Sequence, residues 1–214
     1  MDKLPQIIAY ATAKLKNDKT GHGLDHLTRV AQNAKLLLKE EPQADTFIVL
    51  AACWLHDTID EKLTDPKQAQ SQLKAFLKQI GLTEAQIQAI LAIITQMSFT
   101  RNLNGRQKLS LEGQLVQDAD WLDAIGAIGC VRAIYYGGAH RETIYDPKIK
   151  PRTNLTKEAY RQLEDETIIN HFYEKLLKIA DMLNTQAAKE LAKKRQKFML
   201  AFLEEFKNEW NGLS

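Results

Sequence analysis

The sequence predicts an all-α fold. Apolar residues recur at helical spacing in nearly every segment, helix-boundary residues separate the segments, and no stretch alternates with the period of a strand. The chain has 214 residues, 44% hydrophobic and 26% charged, an ordinary globular mix. That length suffices for one domain or two small ones. With no sharp shift in composition and no internal repeat, a single domain over 1–214 is expected.

The elements follow in order. Residues 4–16 place Leu4, Ile7, Ile8, Ala11 and Leu15 on one stripe. Residues 24–38 repeat the pattern with Leu27, Val30, Ala34 and Leu37. The run "ADTFIVLAACWLHD", 44–57, is mostly apolar and long enough for a buried central helix rather than a strand. "TDPKQAQSQLKAFLKQIG" carries an N-cap residue with Pro66 at its start and closes on Gly81. In "TEAQIQAILAIITQM", Thr83 is the predicted N-cap.

"SFTRNLNGRQKLSLEGQ" reads mostly as a loop. "LEGQLVQDADWLDAIGAIGCVRAIYY" reads as one or two helices, loosened by Gly126 and Gly129. A second loop, about 137–154, is the one plausible internal seam, and a loop of that length is often a lid. Two long helices, about 155–183 and 185–210, close the chain.

The net charge of +2, with both signs interspersed, gives no whole-chain case for binding a nucleic-acid polymer. No apolar run approaches the roughly 18 residues of a membrane span, and the N-terminus lacks the pattern of a secretory signal. The two cysteines, Cys53 and Cys130, form no CxxC pair, and Cys53 reads as a core residue. A reducing cytoplasm is the expected compartment.

The chemistry concentrates in polar residues that interrupt apolar faces: His26, the pair His56–Asp57, and Asp120 in "VQDADWLDA". Imidazole and carboxylate together suit a divalent ion such as Mn, Fe, Co, Ni or Zn. Neighbours on an α-helix project about 100° apart, so His56 and Asp57 can share an ion only with ligands from other helices. A buried polar network without metal is the competing reading.

"HDTIDEK" adds Asp60 and Glu61, four residues after His56 and Asp57. Crowded carboxylates call for a cation, which Lys62 alone could supply. In the other reading Asp60 or Glu61 aims or deprotonates an attacking water, and Lys62 meets a phosphate. Arg29, one turn from His26, could grip a phosphate or pair with Asp57 or Asp60. His22 in "TGHGLDH" reads equally as a pocket or a surface residue.

"GLDHLTRV", "WLHDTIDEKL" and "QDADWLDAIGAIG" together resemble the H…HD…D pattern of the HD-domain metal-dependent phosphohydrolases. "MSFTRNL", "YYGG", "IYDP" and "INHFYEKLLK" are similar to a bacterial subgroup of these hydrolases, so the resemblance spans nearly the whole chain. It implies a helical bundle with a divalent metal between helices, held by His26, His56, Asp57 and Asp120. It implies hydrolysis of a phosphoester or phosphoanhydride, chiefly of nucleotides, with Asp57, Asp60 and Glu61 in catalysis and Arg29, Lys62 and His22 toward substrate.

Two departures stand out. Trp121 occupies the place of an arginine in many relatives, and Met97 lies near the place of a histidine. The extra histidines of binuclear relatives are not found, so one ion, including Mg among the possibilities, is expected. The departures also keep open a non-catalytic nucleotide- or metal-binding protein.

Overall fold

A computed structural model describes residues 3–16, 21, 23–59, 65–98, 107–153 and 166–213. The architecture is all-α. Among the described residues the only β feature is an isolated parallel bridge between Thr143 and Thr167. The chain divides into two compact units, Met1–Asp120 and Trp121–Ser214.

The first unit contains α1 (Leu4–Leu15), α2 (Leu24–Leu37), α3 (Thr46–Leu55), a 3-10 turn (His56–Ile59), α4 (Pro66–Gln79) and α5 (Glu84–Gln96). It also holds the larger part of α6 (Leu111–Asp123). Helix α3 is apolar all round, and α1, α2 and α5 pack against it. Its Val49, Ala51, Ala52, Cys53 and Leu55 have no exposure. Ala11, Leu15 and Leu27 form one core cluster, with Leu24 and Trp54 packed on it.

Local chemistry sets the boundaries. The Asp45 carboxylate accepts from the N–H groups of Phe47 and Ile48 at 2.9 and 3.1 Å and starts α3. Asp65 caps α4 ahead of Pro66. Helix α4 ends in a Schellman motif: Leu82 N–H donates to Leu77 O and Gly81 N–H to Lys78 O, with Gly81 at φ +78°. Thr83 and Gln86 form a reciprocal capping box at the start of α5.

The central helix is shorter than the apolar run predicts. It stops at Leu55, and His56–Ile59 tightens into 3-10 geometry. The His56–Asp57 pair thus sits on a 3-10 turn, where successive residues are about 120° apart rather than about 100°.

The second unit contains the end of α6, then α7 (Gly126–Ala139), α8 (Ile168–Glu174), a 3-10 turn (Leu176–Lys178), α9 (Ile179–Met182) and α10 (Gln186–Trp210). Helix α10 packs on α7 and α9, and α8 packs on α7. The 111–136 segment is two helices, broken at Ala124–Ile125. Gly126 there has φ +80°, and a Cβ would lie 2.9 Å from Arg195 Cβ. The expected loop from 137 starts only at His140, because α7 runs on to Ala139.

The predicted long helix over 155–183 does not form as one piece. Residues 154–165 lie outside the described residues, and the remainder is short segments interrupted at Lys175, whose φ and ψ are −132° and −61°. The start of α8 has a non-local cause. Ile168 and Ile169 N–H donate to Thr143 O and Ile144 O at 3.0 and 3.1 Å, and the Thr167 hydroxyl accepts from Asn170 N–H. The first-turn donors of α8 are thereby satisfied by a loop and a cap, not by a preceding helical turn.

Candidate metal centre

Three elements of the first unit bring four side chains together. Helix α2 carries His26 in its first turn, the 3-10 turn carries His56 and Asp57, and α6 carries Asp120. His26 Nε2 lies 3.3 Å from His56 Nε2, 3.4 Å from Asp57 Oδ2 and 3.4 Å from Asp120 Oδ1. His56 Nε2 lies 3.3 Å from Asp57 Oδ1 and 3.7 Å from Asp120 Oδ1.

These separations fit a shared cation. Donors about 2.1 Å from one ion stand about 3.0 Å apart at a right angle and about 3.4 Å apart at the tetrahedral angle. His26, His56 and Asp57 offer ligand atoms that all lie within 4.8 Å of one another. His26 is fully buried, while the side chains of Asp57 and Asp120 are 11% and 25% exposed. Water therefore reaches the carboxylates and not the innermost imidazole.

The His56 ring is oriented from behind. Its Nδ1 donates to the Cys53 carbonyl at 2.8 Å, which leaves the Nε2 lone pair of the neutral ring facing the cluster. At Asp120, burial pushes the carboxyl up. The hydrogen bond from His26 and the fields of His56 and His26 outweigh that, against opposition from Asp57, and hold it below its usual range. The Cys53 thiol is pushed far up, first by burial and then by the charge of Asp120, so it is no nucleophile.

Of the other residues singled out in the sequence, His22, Asp60, Glu61 and Lys62 lie outside the described residues. Arg29 donates from its guanidinium to Asp25 at 2.7 Å, an i,i+4 pair. Asp118 is fully buried and, two residues before Asp120, points about 200° away round the helix. Trp121 and Met97 are both buried, at 3% exposure each.

Sequence reasoning missed two buried amides next to the cluster. Asn33 Nδ2 donates to Ala119 O at 3.0 Å, and Gln117 Nε2 donates to Met97 O at 2.8 Å. The available signal was an amide on a helix face that is otherwise apolar: Asn33 shares the buried face of α2 with Val30, Ala34 and Leu37.

An all-helical chain that gathers the H…HD…D side chains at one point has the build of a metal-dependent phosphohydrolase. The family model described as HD domain matches residues 23–125. A Lactobacillus plantarum protein of known structure is 50% identical, with a TM-score of 0.89, covering 98% of this chain and 97% of its own. YpgQ of Bacillus subtilis is 35% identical over 210 residues, 97% of this chain and 94% of YpgQ. Its structure in complex with ADP has a TM-score of 0.77, covering 99% of this chain and 100% of that one. An HD-superfamily hydrolase from Bacillus thuringiensis is 36% identical, with a TM-score of 0.75, covering 98% of this chain and 97% of that one. The chain belongs to the HD-domain superfamily of hydrolases.

Proposed function

We propose that the chain hydrolyses a phosphoester or phosphoanhydride bond of a nucleotide, using one divalent ion held by His26, His56, Asp57 and Asp120. The observation that carries this reading is the convergence of four donor side chains at separations of 3.3 to 3.7 Å. An ion held there would supply Lewis acidity toward a phosphate oxygen and lower the pKa of a neighbouring water.

The chain's own groups divide the remaining work. Asp57 both holds the ion and orders the water side of the cluster. Asp60 and Glu61, directly after the 3-10 turn in sequence, aim the water and take its proton. Arg29, at the foot of α2, and Lys62 offset the charge that develops on the phosphate, and His22 is assigned to substrate binding with them. A nucleotide is favoured among phosphate compounds because YpgQ, alike over nearly its whole length, is solved in complex with ADP. The buried free thiols of Cys53 and Cys130 support a reducing, cytoplasmic setting.

The test is a panel of nucleotides with Mn(II) or Mg(II), scored for phosphate against pyrophosphate release. Asp57→Ala should lower turnover by at least about a thousandfold. Equal rates in both proteins would overturn the assignment. The departures at Trp121 and Met97 support a second reading, a binding protein without turnover. That reading requires nucleotide binding by calorimetry and no product under any metal.

A further inference from the structure

Asn33 and Gln117 are the two buried amides that flank Asp120 within the first unit. Asn33 is 6% exposed and Gln117 1%. Asn33 lies seven residues after His26 on α2, two turns on and on the same face. Its amide donates to the carbonyl of Ala119, the residue before Asp120. Gln117 lies one turn before Asp120 on α6 and donates to the carbonyl of Met97, the C-cap of α5.

Each bond has a specific effect. The Met97 carbonyl belongs to a helix end, where carbonyls lack intrahelical donors, so Gln117 ties α6 to a fixed point on α5. The Ala119 carbonyl has a second lone pair besides the one used along its helix, and Asn33 ties that point to the helix that bears His26. A slip of α6 by one residue would move Asp120 by about 1.5 Å and turn it by about 100°. Either change would separate Asp120 Oδ1 from His26 Nε2, now 3.4 Å away. The slip would also break both amide hydrogen bonds.

We infer that Asn33 and Gln117 are positioning residues for Asp120, fixing the height and rotation of α6 so that its carboxylate completes the ligand set begun by His26, His56 and Asp57. The inference rests on the metal-binding reading given above. It assigns a purpose to buried amides that the hydrolytic scheme leaves unused.

The experiment titrates metal-free protein with Mn(II), following free Mn(II) by electron paramagnetic resonance. The proteins are wild type, Asn33→Leu, Gln117→Met, Asp120→Ala, and each amide variant combined with Asp120→Ala. Leu and Met keep the volume and remove the donor. Each amide variant should weaken Mn(II) binding about 10- to 100-fold, while its metal-free melting stays cooperative. With Asp120 already removed, the same amide change should alter affinity less than about twofold, because the effect runs through that carboxylate. Equal losses in both backgrounds, or no loss in either, would overturn the inference. If Asn33→Leu melts without cooperativity, the Gln117→Met cycle decides alone. A wild type that binds no Mn(II) would instead overturn the metal reading itself.

Discussion

His56 Nδ1 lies 2.8 Å from the carbonyl oxygen of Cys53, the residue three positions earlier in the chain. The bond fixes which ring nitrogen holds the proton, and so it commits Nε2 to accepting. That nitrogen stands 3.3 Å from His26 Nε2 and 3.3 Å from Asp57 Oδ1. A position between them is suited to a cation and poorly suited to apolar packing.

His26→Phe and His56→Phe keep a ring and remove the nitrogen that faces the cluster. Each should cut Mn(II) affinity by more than about 100-fold, beyond the cost of losing an outer partner. Metal content after dialysis, measured by elemental analysis, checks this. Full metal content in both variants would show that the four side chains form a polar network alone.

In the second unit, Arg152 holds two buried acids. Its Nε donates to Glu174 Oε2 at 2.9 Å and its backbone N–H to Glu174 Oε1 at 2.7 Å, while Nη2 lies 3.1 Å from Glu166 Oε2. Glu174 and Glu166 are 2% and 5% exposed. Arg152→Ala removes the guanidinium from both buried acids, leaving Glu174 the backbone N–H and Glu166 its bond to His171, and should cost about 3 kcal/mol. Urea denaturation of wild type and variant measures it, and Arg152→Lys should recover only part because the planar fork is lost.

Glu142 and Glu166 should respond to pH with opposite signs. Burial, and then the charge of Glu166, push the Glu142 carboxyl above its ordinary value of 4.5, against the pull of His140 and Arg152. Its Oε1 is buried without a hydrogen-bond partner among the described residues. The folded state binds that proton more tightly than the unfolded state, so stability falls as pH rises through and above 4.5. At Glu166 burial pushes up but His171 and Arg152 prevail, and the carboxyl lies below 4.5. Its contribution is present above 4.5 and is lost as pH falls below it. Denaturation midpoints from about pH 3 to 7 should show Glu166→Gln flattening the acid loss and Glu142→Gln flattening the loss toward neutrality.

Gly137 has no room for a side chain: a Cβ would lie 2.4 Å from Ile168 Cγ1 and 2.5 Å from its Cδ1. Gly137→Ala should destabilise by about 1–3 kcal/mol through overpacking. Ile168→Ala opens that space and has its own cavity cost. The double variant should be more stable than the sum of the singles by about 1 kcal/mol, the coupling expected of contacting side chains.

What was legible in the sequence follows the range of the forces. The N-cap ahead of Pro66, Thr83 and Gly81 act within a turn, and the helices they bound lie close to where those residues place them. His26, His56, Asp57 and Asp120 stood out because each breaks an apolar face, and the structure brings them together. The 3-10 turn at His56 was hidden, since the apolar run gives no sign where helical geometry changes. The start of α8 was hidden too, because its cause is an isolated bridge to Thr143, 24 residues away. Asn33 and Gln117 passed unnoticed for the same reason: their acceptors lie 86 and 20 residues away in sequence.

The Thr143–Thr167 bridge also joins two points 24 residues apart in sequence, through backbone hydrogen bonds from Ile168 to Thr143 and from Ile169 to Ile144. The entropy of bringing two such points together grows only with the logarithm of their separation, about 0.6 kcal/mol for each doubling. Joining points 24 residues apart therefore costs only about 0.6 kcal/mol more chain entropy than joining points half as far apart. The start of α8 is thus set by a long-range contact of modest entropic cost, and Arg152, bound to Glu166 and Glu174, ties the same stretch of chain to the same helix.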